Sequence, residues 1–162
     1  MRTTLNNIHH YLLQLNLFSL ILCSSLFITL NTFLLSRIVA FFDIAVNGPK
    51  FESMSQEFIL VVVAAPIVET FIFQILIFEL LLMVVGKSRK GIALFMSAFL
   101  FGLSHYYSWI YVVSASLTGL VLGYVYIIVV EKKISPLWTV WSVPFVHSLV
   151  NLYVFLLSYI NH

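Results

Sequence analysis

FILVVVAAPIVETFIFQILIF, residues Phe58 to Phe78, is an apolar run broken by one carboxylate, Glu69. A stretch of about 20 apolar residues is long enough to cross a bilayer as a helix. A charged side chain near its centre costs at least ~2.5 kcal/mol by insertion scales, so such residues are rare and functional by default. The reading of the whole chain turns on whether Glu69 has partners. Two later apolar segments each carry one histidine, His105 and His147, and the second also carries Asn151.

Composition sets the class. Of the 162 residues, 62% are hydrophobic and 9% charged, with a mean hydropathy of +1.08. Soluble domains run at about 45–50% apolar and about 25% charged, so this is an integral membrane protein. Continuous apolar stretches of about 20 residues fit helices, whereas barrel strands would alternate over about 10. The fold class is therefore all-α, a polytopic transmembrane bundle. Net charge is +2, and no basic patch interleaved with aromatics marks a nucleic-acid interface. Cys23 is the single cysteine, which excludes an internal disulfide and a thiolate cluster for zinc. It reads as a small buried hydrophobe.

Five helices are predicted: Leu15 to Arg37, after the polar start MRTTLNNIHH, then Glu57 to Val85, Ile92 to Tyr107, Trp109 to Val130, and Pro136 to Ile160. Asn47, Gly48, Pro49, Lys50 and Glu52 make the first loop, and Gly86 to Gly91 ends the second helix. Residues 1–56 read as an accessory helix and loop, and residues 57–162 as the core. Arg2, Lys87, Arg89, Lys90, Lys132 and Lys133 fall on one side of an alternating bundle, opposite Asp43, Lys50, Glu52 and Glu57. The positive-inside rule then puts the amino terminus in the cytoplasm and the carboxyl terminus outside, for a multi-pass protein of the plasma membrane.

At a rise of about 1.5 Å per residue, Glu69 lies roughly 18 Å from Glu57, His105 roughly 20 Å from Ile92, and His147 roughly 16 Å from Pro136. All three fall in the middle third of a core about 30 Å thick. His147 and Asn151 are spaced i, i+4 and share a helix face, as do Phe101 with His105 and Thr70 with Gln74. Gly119 and Gly123 form a small-residue face for close helix packing. A single intramembrane histidine is commonly structural, but one glutamate and two histidines at matched depth point to a site. Glu79 and Arg37 lie near helix ends, where snorkelling or a surface ion pair suffices, and His9, His10 and His162 read as idle terminal residues.

Ala65-Pro66 with Glu69, Thr70 and Gln74, then Phe101 with His105, then His147 with Asn151, resembles the CPBP intramembrane proteases. That family includes type II CAAX prenyl endopeptidases and bacteriocin-processing or self-immunity proteins. Its pattern is Glu-Glu-x-x-x-Arg, Phe-x-x-x-His and His-x-x-x-Asn or Asp on successive helices, and the likeness extends from about Phe58 to Tyr159. Gly119, Gly123, Tyr124, Tyr126 and the run Ser135 to Trp138 add to it. Thr70 stands where the family has its second glutamate and Gln74 where it has arginine, so a buried ion pair is expected to be replaced by a Thr70–Gln74 hydrogen bond.

The resemblance implies an intramembrane endopeptidase acting on a membrane-associated peptide or protein, prenylated or not, with the bilayer as its medium. Glu69, His105, His147 and Asn151 are its candidate catalytic residues, supported by Thr70, Gln74 and Phe101. Glu69 is favoured as the base that activates water. His105 and His147 would hold that water, steady the oxyanion or bind a metal. His105, His147 and Glu69 are a possible His₂Glu donor set for Zn²⁺, though no second carboxylate would then serve as base. Asn151 would donate to the oxyanion or orient His147. Two other classes stay open: a non-catalytic immunity or scaffold protein of the same fold, and a haem protein with His105 and His147 as axial ligands.

Overall fold

The computed structural model describes residues 2–46 and 48–160, so the expectations placed on Asn47 and His162 lie outside the described residues. Six helices make up the bundle: α1 (Arg2–Gln14), α2 (Leu17–Phe41), α3 (Met54–Val85), α4 (Lys90–Leu103), α5 (Trp109–Glu131) and α6 (Pro136–Ile160). Among the described residues there is no strand. Helices α2, α3, α5 and α6 are each long and apolar enough to cross a membrane. Their outer faces expose large apolar side chains such as Phe18, Leu26, Met83 and Val84, as lipid-facing surfaces require. The protein is an all-α, multi-pass membrane bundle.

Local chemistry sets the boundaries. Asn16 breaks the chain between α1 and α2 because its side chain caps the second helix, accepting from the Ser19 N–H at 2.8 Å. Ser53 caps α3 by accepting from the Gln56 N–H at 3.2 Å, and the Gln56 side chain reaches back to the Glu52 N–H at 2.7 Å. Gly86 ends α3 at φ 89°, a backbone conformation that glycine tolerates without strain. Ser108 caps α5, and Pro136 opens α6 at its first turn, where a missing N–H costs nothing.

Helices α4 and α5 form the tightest pair. A Cβ added at Gly102 would stand 1.9 Å from Ser116 Oγ, and one at Gly119 would stand 2.7 Å from Phe101 Cδ1. At Gly123 it would meet Leu94 Cδ1 at 2.6 Å. The small-residue face expected at Gly119 and Gly123 therefore carries α4. The apolar core lies where α5 meets α6 and α2, around Leu20, Ile28, Leu122, Ile128, Val143 and Val146.

The amino-terminal region departs from expectation. The polar start forms a helix of its own, α1, so six helices stand where five were expected, and His9 is not idle. Its Nδ1 lies 2.9 Å from the Tyr124 hydroxyl and its Nε2 2.9 Å from Glu131 Oε2. Lys90 Nζ reaches the other oxygen of Glu131 at 2.5 Å, and Lys132 Nζ donates to the Leu13 and Leu15 carbonyls at 2.6 Å each. Lysine at the carboxyl end of α1 satisfies carbonyls that the helix itself cannot. These bonds join the basic ends of α4 and α5 to α1, while Tyr159 donates to Glu57 at 3.0 Å at the far end of the bundle.

Three further expectations need correction. The third predicted helix stops at Leu103, because Ser104 to Ser108 turn the chain into α5. Cys23 is exposed on α2 and not buried. Glu79 is not left to the surface: it accepts a hydrogen bond of 3.0 Å from Tyr126.

Candidate active site

Glu69 ends a short α-helical stretch, Ala65–Glu69, set between π-helical turns at Phe58–Ala64 and Thr70–Ile77. Such wide turns recur at functional sites because they re-aim side chains along an otherwise regular helix. Glu69 Oε1 lies 3.7 Å from His105 Nε2, and Oε2 lies 3.8 Å from His147 Nε2. One carboxylate therefore faces two imidazoles brought in from two other helical segments. The convergence proposed from depth alone holds in three dimensions.

The surroundings fix both rings. His105 follows the last turn of α4, and its Nδ1 donates to the Phe101 carbonyl at 2.9 Å. A carbonyl only accepts, so this bond puts a proton on Nδ1, and Nε2 is the ring atom that faces Glu69. The Phe101 ring packs edge-on against His105 at 4.7 Å and against His147 at 5.8 Å between centroids. Phe101 is fully buried, held from behind by Gly119 on α5 and by Phe73 on α3. His147 is buried, and its Nδ1 has no hydrogen-bond partner.

Above the carboxylate lies a cavity of about 350 Å³, lined by Glu69, His105, His147 and Asn151 together with Tyr111 and Thr32. All four candidate catalytic residues thus share one space. Tyr111 stacks on His105 with ring centroids 5.6 Å apart. In the sequence Tyr111 belongs with Tyr106, Tyr107 and Trp109 to an aromatic cluster of the kind that marks a membrane interface. Its position one turn past the Ser108 cap was the available signal. Thr32 shows that α2 supplies part of the wall.

The supporting residues behave differently. Asn151 contacts neither His147 nor His105 by hydrogen bond; its Nδ2 donates to the Val61 carbonyl at 2.8 Å. Thr70 and Gln74 are fully buried, yet Thr70 Oγ1 and both amide atoms of Gln74 lack partners. The expected Thr70–Gln74 bond does not form. Its rationale was α-helical spacing, and from Thr70 onward the helix runs in π turns that pair i with i+5. Neither side chain reaches the cavity.

Zinc can be tested against this geometry. The donor types, two imidazoles and a carboxylate, suit the ion. Among the described residues, however, no three His, Cys, Asp or Glu side chains converge closely enough to hold a metal ion.

Residues 52–153 match the family model of the Rce1-like type II CAAX prenyl endopeptidases. The match takes in Glu69, Phe101, His105, His147 and Asn151. No curated protein and no solved structure matches the chain. A family match over well more than half of the sequence, coinciding with the segments that build this cavity, places the chain in the Rce1-like type II CAAX prenyl endopeptidase family.

Proposed function

We propose that the protein is an intramembrane endopeptidase in which Glu69 is the general base. The observation that carries this reading is the single carboxylate set opposite two imidazole Nε2 atoms on the wall of one cavity. Separations of 3.7 and 3.8 Å exceed a direct hydrogen bond, and a water beside the carboxylate is within reach of both groups. Glu69 takes one proton from that water while its oxygen attacks the scissile carbonyl carbon. The Nε2 lone pair of His105 accepts from the other O–H and orients the nucleophile. Negative charge gathers on the carbonyl oxygen, where the remaining N–H of Asn151 is the nearest amide donor on the cavity wall. Protonated Glu69 then gives its proton to the leaving amine, and the carboxylate is restored.

The substrate class is a membrane-associated peptide or protein, CAAX-type or bacteriocin-type, entering from the bilayer. The basic end of the bundle is assigned to the cytoplasm and the membrane to the plasma membrane, on the positive-inside rule. To hold zinc, His105, His147 and Glu69 would have to draw closer than they stand, and the ion would then supply Lewis-acid polarisation of the scissile carbonyl. No step above depends on it. The haem alternative has no support in this geometry, since Glu69 fills the space that both Nε2 atoms face.

The test uses purified protein in lipid vesicles with two quenched fluorescent peptides, one carrying a prenylated CAAX end and one unlipidated. Loss of general base action lowers turnover by about 10²–10⁴-fold, so Glu69→Gln is expected to abolish cleavage; His105→Ala and His147→Ala, which remove the imidazoles facing the water beside Glu69, are expected to do the same. Undiminished turnover in Glu69→Gln would sink the proposal. A cellular phenotype that survives Glu69→Gln would favour the non-catalytic reading instead.

A further inference from the structure

Asn151 bonds to Val61, and the reason lies in a residue that touches neither the water nor the histidines. In α3 the Ala65 N–H donates to the Leu60 carbonyl, five residues back. In that register the carbonyl of Val61 would be served by residue 66. Residue 66 is Pro66, which has no N–H to give. Ala65 is already committed to Leu60, so the Val61 carbonyl has no helical donor. An unpaired backbone carbonyl is costly, and Val61 is half-buried on the cavity wall, where a side chain of the facing helix can reach it. The side chain of Asn151 fills the gap at 2.8 Å.

The tie has consequences for the site. Asn151 is one turn from His147 on α6, and Pro66 is three residues before Glu69 on α3. This hydrogen bond thus joins the helix bearing the base to the helix bearing the second imidazole, one turn from His147 and about two turns before Glu69. It also holds one N–H of the Asn151 amide away from the cavity, which sets where the other can point. We propose that Pro66 is a positioning residue: by leaving the Val61 carbonyl free, it recruits Asn151 and fixes the Asn151–His147 face of α6 against Glu69. The bond itself is independent of any enzymatic reading; its catalytic consequence rests on the proteolytic function proposed above.

Pro66→Ala supplies the missing donor whichever way the helix settles. In the π register the new N–H of residue 66 serves Val61, and in the α register the N–H of Ala65 does so. Asn151 then becomes dispensable to the carbonyl. A thermal-unfolding cycle in detergent reads this without any substrate. Asn151→Leu, which strands the carbonyl, should lower Tm by about 4 °C or more in the Pro66 background. In the Pro66→Ala background the same change should cost no more than about 1 °C. Equal losses in both backgrounds overturn the proposal. If Asn151→Leu fails to fold, recovery of folded protein in Pro66→Ala/Asn151→Leu supports the tie, and continued failure counts against it.

Positioning has its own readouts. The imidazole nitrogen NMR resonances of His147 should move in Pro66→Ala, and unchanged resonances refute a positional effect. With the quenched prenylated peptide, Pro66→Ala should lower kcat by about tenfold or more with KM unchanged. An unaltered kcat, or a change confined to KM, removes Pro66 from the reaction. Absence of cleavage by the wild type would defeat the proteolytic reading alone, leaving the unfolding cycle and the His147 resonances to decide the tie.

Discussion

Gln74 occupies the interior of α3 with 1% of its surface exposed and neither amide atom hydrogen-bonded. Gln74→Met keeps the length and flexibility of the side chain while replacing the amide with a thioether. A buried polar group left unsatisfied costs about 1–3 kcal/mol, so removing two such atoms should stabilise the fold by at least ~2 kcal/mol. For a chain of this size that is a rise in Tm of roughly 4–8 °C. Thermal unfolding in detergent, followed by circular dichroism, measures it directly. Cleavage of the prenylated peptide should be unaffected, because Gln74 does not line the cavity. A fall in Tm of similar size would refute the reasoning: it would mean that the amide is satisfied in the folded protein and that Met has removed a real bond.

Other expectations follow from neighbouring contacts. Thr70→Glu or Gln74→Arg alone should each cost about 3–5 kcal/mol by burying an unpaired charge, and the double variant should recover most of the folded yield, as measured by monodisperse protein on size exclusion. Gly119→Ala places a Cβ 2.7 Å from Phe101 Cδ1, so it should cost about 1–3 kcal/mol through overpacking and reduce cleavage by tilting the ring beneath both histidines. His9→Ala removes the contacts to Tyr124 and Glu131; with both partners part-exposed the cost should stay within ~1 kcal/mol, while limited proteolysis before Asn16 accelerates. Exhaustive chelation should leave Glu69-driven cleavage intact, and activity lost on chelation but restored by zinc would move the histidines from holding water to holding metal.

The candidate site was legible because the bilayer makes polar side chains expensive. Glu69, His147 and Asn151 each interrupt an apolar helix, His105 follows the end of another, and their depths could be compared by counting residues. The terminator Gly86 made the end of α3 readable as well, whereas the Ser53 cap, which starts that helix at Met54 and not at Glu57, was not picked out. The amino-terminal helix was harder to read. Its polar residues look like a solvated lead, and only tertiary partners on α5 give His9 a task. Tyr111 failed to stand out for a related reason, since an aromatic near a helix end is the ordinary signature of a membrane interface.

The Thr70–Gln74 pair and the Val61 carbonyl reveal a different limit. Side-chain spacing was translated into contact through the geometry of an ideal α-helix, and α3 is not one. Around Glu69 its turns widen, so a spacing of four no longer guarantees a shared contact, and a backbone carbonyl with no letter of its own becomes a binding group. Pro66 is the only trace that such a carbonyl leaves in the sequence. In a soluble protein, water could satisfy that carbonyl and Asn151 would be free to vary. Within a bilayer the same proline obliges another helix to provide a donor, and here the donor sits one turn from His147. The cost of an unpaired backbone group is thereby converted into a fixed distance between the two halves of the site, which is why Pro66 and Asn151 should behave as a coupled pair under mutation and not as independent residues.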